Sequence, residues 1–167
     1  MFTQNFTRPS GEVVSPKRLI EIVSNYILQE PNASYEFTVG TDSQNYDRTK
    51  IVEVIAVHKI GKGGIFFYNT SYIEKIKSLR QKITEETQRS LVIADGLVEA
   101  LDIALLERDI DINSLDLRFQ IHCDIGQEGK TQILIKEITN WVTSLGYTCL
   151  IKPDSYAASG IANKYSK

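Results

Sequence analysis

Four carboxylates stand where folding can gather them. Asp42 follows Tyr35, Phe37 and Val39, which alternate with Glu36, Thr38 and Gly40. Asp124 follows Leu117, Phe119, Ile121 and Cys123 at the same two-residue period. That period marks a half-buried strand, so each aspartate closes one. Asp154 comes just after a further strand-like stretch, residues 147–151. Glu86 belongs to a helical pattern, one step from Ile83 and Ser90, on the border of its buried stripe. Glu85 beside it is turned further toward water. Carboxylates held a few ångströms apart repel, and they share a proton unless a cation lies between them. Mg²⁺ and Mn²⁺ favour all-oxygen ligand sets of this kind. Asp42, Asp124, Asp154 and Glu86 are therefore expected to hold two such ions, one activating water and the other stabilising a leaving oxygen in phosphodiester hydrolysis.

Each of these residues also has a purely structural use. Asp42 in the segment Gly-Thr-Asp-Ser suits a turn, and Asp124 and Asp154 suit helix caps. Glu86 suits an ordinary helix surface. The functional use gains from the joint placement at strand ends, which depends on the elements that carry them.

Residues 1–15 read as an irregular arm, broken by Pro9, Ser10 and Gly11. Ser15 and Pro16 open a helix whose apolar positions are Leu19, Ile20, Val23 and Ile27, and Pro31-Asn32 ends it. Residues 35–44, 50–59 and 65–71 then form three strands joined by short turns, an antiparallel meander. A long helix is expected over residues 74–108, with Ile76, Leu79, Ile83, Ser90, Ala94, Leu97, Leu101 and Leu105 buried and a possible break at Gly96. A fourth strand ends at Asp124, and a helix entered through Gly126-Gln127-Glu128-Gly129 turns Ile135, Ile138, Trp141, Val142 and Leu145 inward. A fifth strand and a short C-terminal helix complete the chain. Right-handed crossovers set strands four and five beside the first and parallel to it. The result is a five-stranded mixed α/β sheet of order 3-2-1-4-5 flanked by helices, the ribonuclease H-like arrangement, with an extra N-terminal helix. Residues 1–34 read as arm and accessory helix and residues 35–167 as the ribonuclease H-like domain, in one structural domain.

In that sheet Asp42 and Asp124 leave neighbouring parallel strands at the same carboxyl edge, where open α/β sheets build their sites. Ser43, Lys130 and Lys152 are the candidates for meeting substrate. Gly126 to Thr131 has two residues between its glycines where a nucleotide-binding loop needs four, so it reads as a helix N-terminus with Lys130 available to an anion. His122, two residues before Asp124, reads as a proton shuttle or as a hydrogen-bonded sheet histidine. Phe66, Phe67, Tyr68 and Tyr72 read as a base-stacking platform or as sheet and core aromatics.

The 167 residues, 42% hydrophobic and 24% charged, suit one soluble domain. A net charge of −2 supplies no general attraction to nucleic acid or anionic membranes, so a polyanion needs a local basic patch or bound metal. No apolar run approaches the roughly 18 residues that span a bilayer. The N-terminus lacks a secretory apolar core, and Cys123 and Cys149 fall short of a disulfide framework. A cytoplasmic protein with two small core cysteines is expected.

The segments GTDSQ (40–44), IGKGGIFFY (60–68), SLRQKITEETQRSL (78–91), HCDIGQEGKT (122–131) and KPDSYAASGIANKYSK (152–167) resemble the YkuK-type ribonuclease H-like family, in order and over nearly the whole chain. The resemblance implies that fold and an acidic site at Asp42, Asp124 and Asp154, with Glu86 as its helical member. The wider superfamily cleaves RNA or DNA phosphodiesters with two Mg²⁺ ions. The likeness therefore implies a metal-dependent nuclease acting on RNA, DNA or a hybrid. A catalytically silent module that binds nucleic acid or a protein is the alternative.

Overall fold

The computed structural model describes residues 2–127 and 129–152, so Asp154 and the expected C-terminal helix lie outside the described residues. Ser15 caps α1 (Pro16–Leu28) by accepting from the Arg18 N–H, and Pro16 fills the first position, where no N–H is needed. The meander follows as β3 (Ser34–Asn45), β4 (Thr49–Lys59) and β5 (Gly63–Ile73). Helix α2 (Leu79–Leu106) crosses to β6 (Asp116–His122), and α3 (Ile135–Ser144) crosses to β7 (Thr148–Leu150). β6 runs parallel to β3 and β7 parallel to β6, which reproduces the expected central order β5-β4-β3-β6-β7.

Among the described residues the sheet has seven strands rather than five. The arm, expected to be irregular, forms a hairpin of β1 (Phe6–Thr7) and β2 (Val13–Val14), and β1 adds to β5 at Thr7 opposite Tyr68. Pro9, Ser10 and Gly11 make its turn: Gly11 has φ +91°, and its N–H bonds the Arg8 carbonyl at 2.8 Å. Phe2, Phe6 and Val14 are buried, and their apolar surface holds the arm down.

α2 begins later than expected because Ser78 caps it, accepting from the Gln81 N–H. Ile76 is buried but precedes the helix. Its N–H bonds Thr49 Oγ1 at 2.8 Å and its carbonyl accepts from Asn45 Nδ2 at 3.0 Å. The helix runs unbroken through Gly96, which is buried. α3 also starts later than its glycine entry suggested, after a 3-10 turn over Lys130–Leu134. Ile138 and Val142 are buried, but Leu145 is 49% exposed, because it lies past the last turn where Gly146 (φ +91°) reverses the chain.

Odd-numbered positions of β3 and β6 enter the core, where Phe37 stacks on Phe119 at 4.6 Å between ring centroids. One cluster joins Phe6, Leu19 and Ile27 to Phe37, Ile55, Phe67, Leu97, Leu101, Ile121 and Val142, so the arm and α1 share the core of the sheet and α2. Cys123 is buried and Cys149 half-buried; both are reduced, with their sulfurs 3.7 Å apart. Among the described residues no helix is long and apolar enough to cross a membrane.

Candidate acidic site

The site begins where one ladder ends and its neighbour continues. Pairing of β3 with β6 stops at Gly40 opposite His122, whereas pairing with β4 runs on to Asn45 opposite Thr49. The last residues of β3 thus project beyond β6 at a switch point of the sheet, the usual place for a site in open α/β folds. Asp42 sits on this projection, half-buried, and Asp124 lies just past the end of β6.

Side chains alternate along a strand, and Thr41 and Ser43 both turn toward α2. Thr41 Oγ1 meets Ser90 Oγ at 2.8 Å. One turn earlier on the helix, Glu86 reaches Ser43: its Oε2 accepts from the Ser43 N–H at 2.9 Å and from Ser43 Oγ at 2.6 Å. Lys82, one turn before Glu86, donates to the same Oε2 at 2.5 Å and to the Ser43 carbonyl and hydroxyl at 2.9 Å each. Glu86 is only 4% exposed, and among the described residues its Oε1 has no hydrogen-bond partner. Glu85 turns away and pairs with Arg89 at 2.9 Å, so Glu86 is the helix carboxylate that faces the strand end.

Burial pushes Glu86 up to about 7, against the pull of Lys82 and Ser43, and the charge of Asp42 adds to the rise. Asp42 is likewise raised, first by burial and further by Asp124, while Lys82, the Ser43 N–H and Lys152 oppose it. Asp42, Glu86 and Asp124 therefore form one electrostatic group with two lysines. Lys152 binds Asp124 Oδ1 at 2.8 Å, and that hydrogen bond raises the ammonium's own pKa. Its stem lies against Gly126, where an added Cβ would stand 3.1 Å from Lys152 Cβ, so the absence of a side chain there lets Lys152 approach.

The other candidates fall differently. Ser43 was expected to meet substrate, but it is buried and its hydroxyl is shared between Glu86 and Lys82. Lys130 is exposed in the 3-10 turn, and no α-helix begins beside it to supply an anion cradle, since α3 starts at Ile135. The Gly126 N–H is taken by Thr131 Oγ1 at 3.1 Å. His122 is buried at the last β3–β6 pair, and His58 is exposed. Phe67 belongs to the core, whereas Tyr72 is exposed with the Arg48 guanidinium 5.7 Å from its ring centroid.

Lys82 was not among the sequence candidates. Its spacing of four residues from Glu86 was the available signal, though such pairs usually lie on solvent-facing helix surfaces. Among the described residues no group of three or more His, Cys, Asp or Glu side chains is gathered closely enough to hold a metal ion. The donor chemistry nevertheless suits a hard divalent cation, because the side chains are carboxylates and, among the described residues, a buried Glu86 oxygen lacks a partner.

Residues 18–167 match the family described as Ribonuclease H-like. The chain is 37% identical over 153 residues to the uncharacterized protein YkuK of Bacillus subtilis (strain 168), covering 89% of each. No solved structure matches. With the central sheet order, the crossover helices and these two matches in agreement, the chain belongs to the YkuK-type ribonuclease H-like family.

Proposed function

We propose that this protein is a divalent-metal-dependent phosphodiesterase acting on nucleic acid. Asp42, Glu86, Asp124 and Asp154 are its metal-holding and catalytic carboxylates. Residues 35–167 carry the site, and residues 1–34 are accessory. The observation that carries this reading is the half-satisfied Glu86 carboxylate, buried beside Asp42 with one oxygen anchored and the other unpartnered among the described residues. Leaving a buried oxygen unsatisfied costs about 1–3 kcal/mol, which a bound ligand would recover.

Bound Mg²⁺ or Mn²⁺ would supply water activation and neutralisation of charge developing on the leaving oxygen. Ser43 and Lys82 fix the direction of Glu86 through three bonds to Oε2. Asp42 and Asp124 present carboxylates from adjacent strand ends. Lys152, the more exposed of the two lysines, can exchange Asp124 for a substrate phosphate.

A second reading has its own support. Lys82 and Lys152 already compensate Glu86 and Asp124, as would suit a silent module that binds nucleic acid or a protein without metal. Purified protein with Mn²⁺ is expected to cleave a member of a panel of single-stranded, duplex and hybrid oligonucleotides. Asp124→Asn should lower that cleavage by at least about 100-fold. Retained binding with no turnover in Mg²⁺ or Mn²⁺ would establish the silent module instead.

A further inference from the structure

The chain has two cysteines, and folding brings them together although they are 26 residues apart in sequence. Cys149 pairs with Ile121, and Cys123 stands two residues further along the same path, so strand alternation puts both sulfurs on one face. The sulfurs are 3.7 Å apart. A disulfide needs about 2.05 Å, so closing one asks for an approach of less than about 2 Å. Cys123 is buried and Cys149 half-buried, so an oxidant meets Cys149 first. The hydrogen bond between the two thiols lowers Cys149 below its ordinary range; burial opposes this and the Thr139 hydroxyl assists.

The pair is set in the ladder that carries Asp124 and Lys152. β7 is three residues long and, among the described residues, is the edge strand. Thr148, Cys149 and Leu150 hold it on β6, and the bonding continues past them. The Cys123 N–H donates to the Leu150 carbonyl at 2.9 Å, and the Lys152 N–H to the Ile125 carbonyl at 2.8 Å. The Lys152–Asp124 ion pair lies within this stretch. A short edge strand opens more readily than a long interior one, and a covalent link to its neighbour removes that freedom.

We propose that Cys123 and Cys149 are a peroxide-sensitive dithiol whose reversible disulfide latches β7 onto β6 and holds Lys152 against Asp124. The Cys149 thiolate attacks one oxygen of hydrogen peroxide and the O–O bond breaks. The departing hydroxide takes up the proton that Cys149 gave and leaves as water, with Cys149 now a sulfenic acid. The Cys123 sulfur then displaces the hydroxyl from Cys149. That hydroxyl leaves with the Cys123 proton as a second water, and the S–S bond forms. Two thiols have thus given two electrons to one peroxide, and a thiol reductant returns them. In the reduced chain the edge opens and Lys152 can leave Asp124; in the oxidised chain it is held. The latch needs no metal and stands under either reading of the acidic site.

Mass spectrometry of the reduced whole chain, treated with a few equivalents of hydrogen peroxide and then alkylated, tests the link. Deuterium exchange of residues 146–152 tests the latch. Wild type should lose two hydrogen atoms in one intramolecular bond and recover them in dithiothreitol. While oxidised, it should exchange residues 146–152 at least about ten-fold more slowly, with α1 unchanged. Cys149→Ser should lose no hydrogen and should exchange like reduced wild type before and after peroxide. Circular dichroism verifies its folding; should it not fold, oxidised against reduced wild type still decides. Oxygen added to either sulfur in place of the bond, or a bond between two chains, overturns the dithiol. A disulfide that leaves exchange unchanged or faster overturns the latch.

Discussion

Two glutamates lie buried against α2, and they are finished in opposite ways. Glu53, on β4, is 2% exposed, and Glu86, on α2, is 4% exposed, so depth does not separate them. Both oxygens of Glu53 are occupied. Oε1 accepts from Gln4 Nε2 and Asn69 Nδ2 at 3.1 Å each, and Oε2 faces Arg89 at 3.7 Å. Glu86 has one oxygen crowded with donors and one with none among the described residues. Burial of a carboxylate is costly in either case and has to be answered by partners. At Glu53 the answer is complete and comes from the arm, β5 and α2, so that residue ties three segments together. At Glu86 it is incomplete among the described residues, with one oxygen left without a hydrogen bond.

The contrast predicts the largest effect at the residue without a proposed role in chemistry. Glu53→Ala should cost about 3–5 kcal/mol of unfolding free energy, measured by urea denaturation, because it orphans Gln4, Asn69 and part of Arg89. Its Mn²⁺ binding should be unchanged. A loss under about 1 kcal/mol would remove Glu53 from its structural place.

Glu86 should differ in the sign of its pH dependence. Its folded-state pKa lies at about 7, above the ordinary 4.5, so the folded protein holds that proton more tightly than the unfolded chain. The stability associated with protonated Glu86 is fully present below about pH 4.5 and is lost as pH rises through about 7. The shift corresponds to about 3 kcal/mol. Glu86→Gln cannot titrate there, so its stability relative to wild type should climb by about that amount between pH 4.5 and 8. A flat difference across that range would mean Glu86 is not held as described.

The metal response sharpens the comparison further. At one hundred times its dissociation constant, Mn²⁺ should stabilise wild type and Glu53→Gln by about 2.7 kcal/mol and Glu86→Gln far less, read as thermal melting shifts. Equal shifts in all three would separate Glu86 from any metal. The smallest effect belongs to Glu85, whose partly exposed pair with Arg89 should be worth about 0.5 kcal/mol or less. Glu85→Gln should leave Mn²⁺ binding alone, and a larger loss than Glu86→Gln would reverse the assignment of the two helix carboxylates.

Much of this arrangement was legible in the sequence wherever a period ran long enough. The alternation before Asp42 and before Asp124 identified β3 and β6, and crossover handedness placed them side by side. The spacing of Ile83 and Ser90 put Glu86 on the border of the buried stripe and Glu85 further toward water, and the structure buries Glu86 more deeply than that spacing implied. The arm was not legible, because two-residue strands carry no measurable alternation and their Pro-Ser-Gly turn looks like a loop. The start of α2 was misread because Ile76, buried by its bonds to Thr49 and Asn45, mimics the helical stripe. Lys130 was misplaced because a glycine-rich entry resembles a helix N-terminus, whereas here it leads into a 3-10 turn. Lys82 was invisible for another reason: sequence spacing places it near Glu86 but cannot tell a buried pair from a solvated one.

Beyond the end of β6, the Ser43 amide finds its acceptor on Glu86 instead of in the sheet ladder. The exchange of that amide proton with solvent deuterium is therefore governed by a side chain on α2. Whatever draws Glu86 toward another partner loosens the clasp on Ser43, and whatever pins Glu86 in place slows the exchange. One amide resonance, followed in deuterated buffer, thus reports occupancy of the site without a substrate, a label or a measurement of turnover.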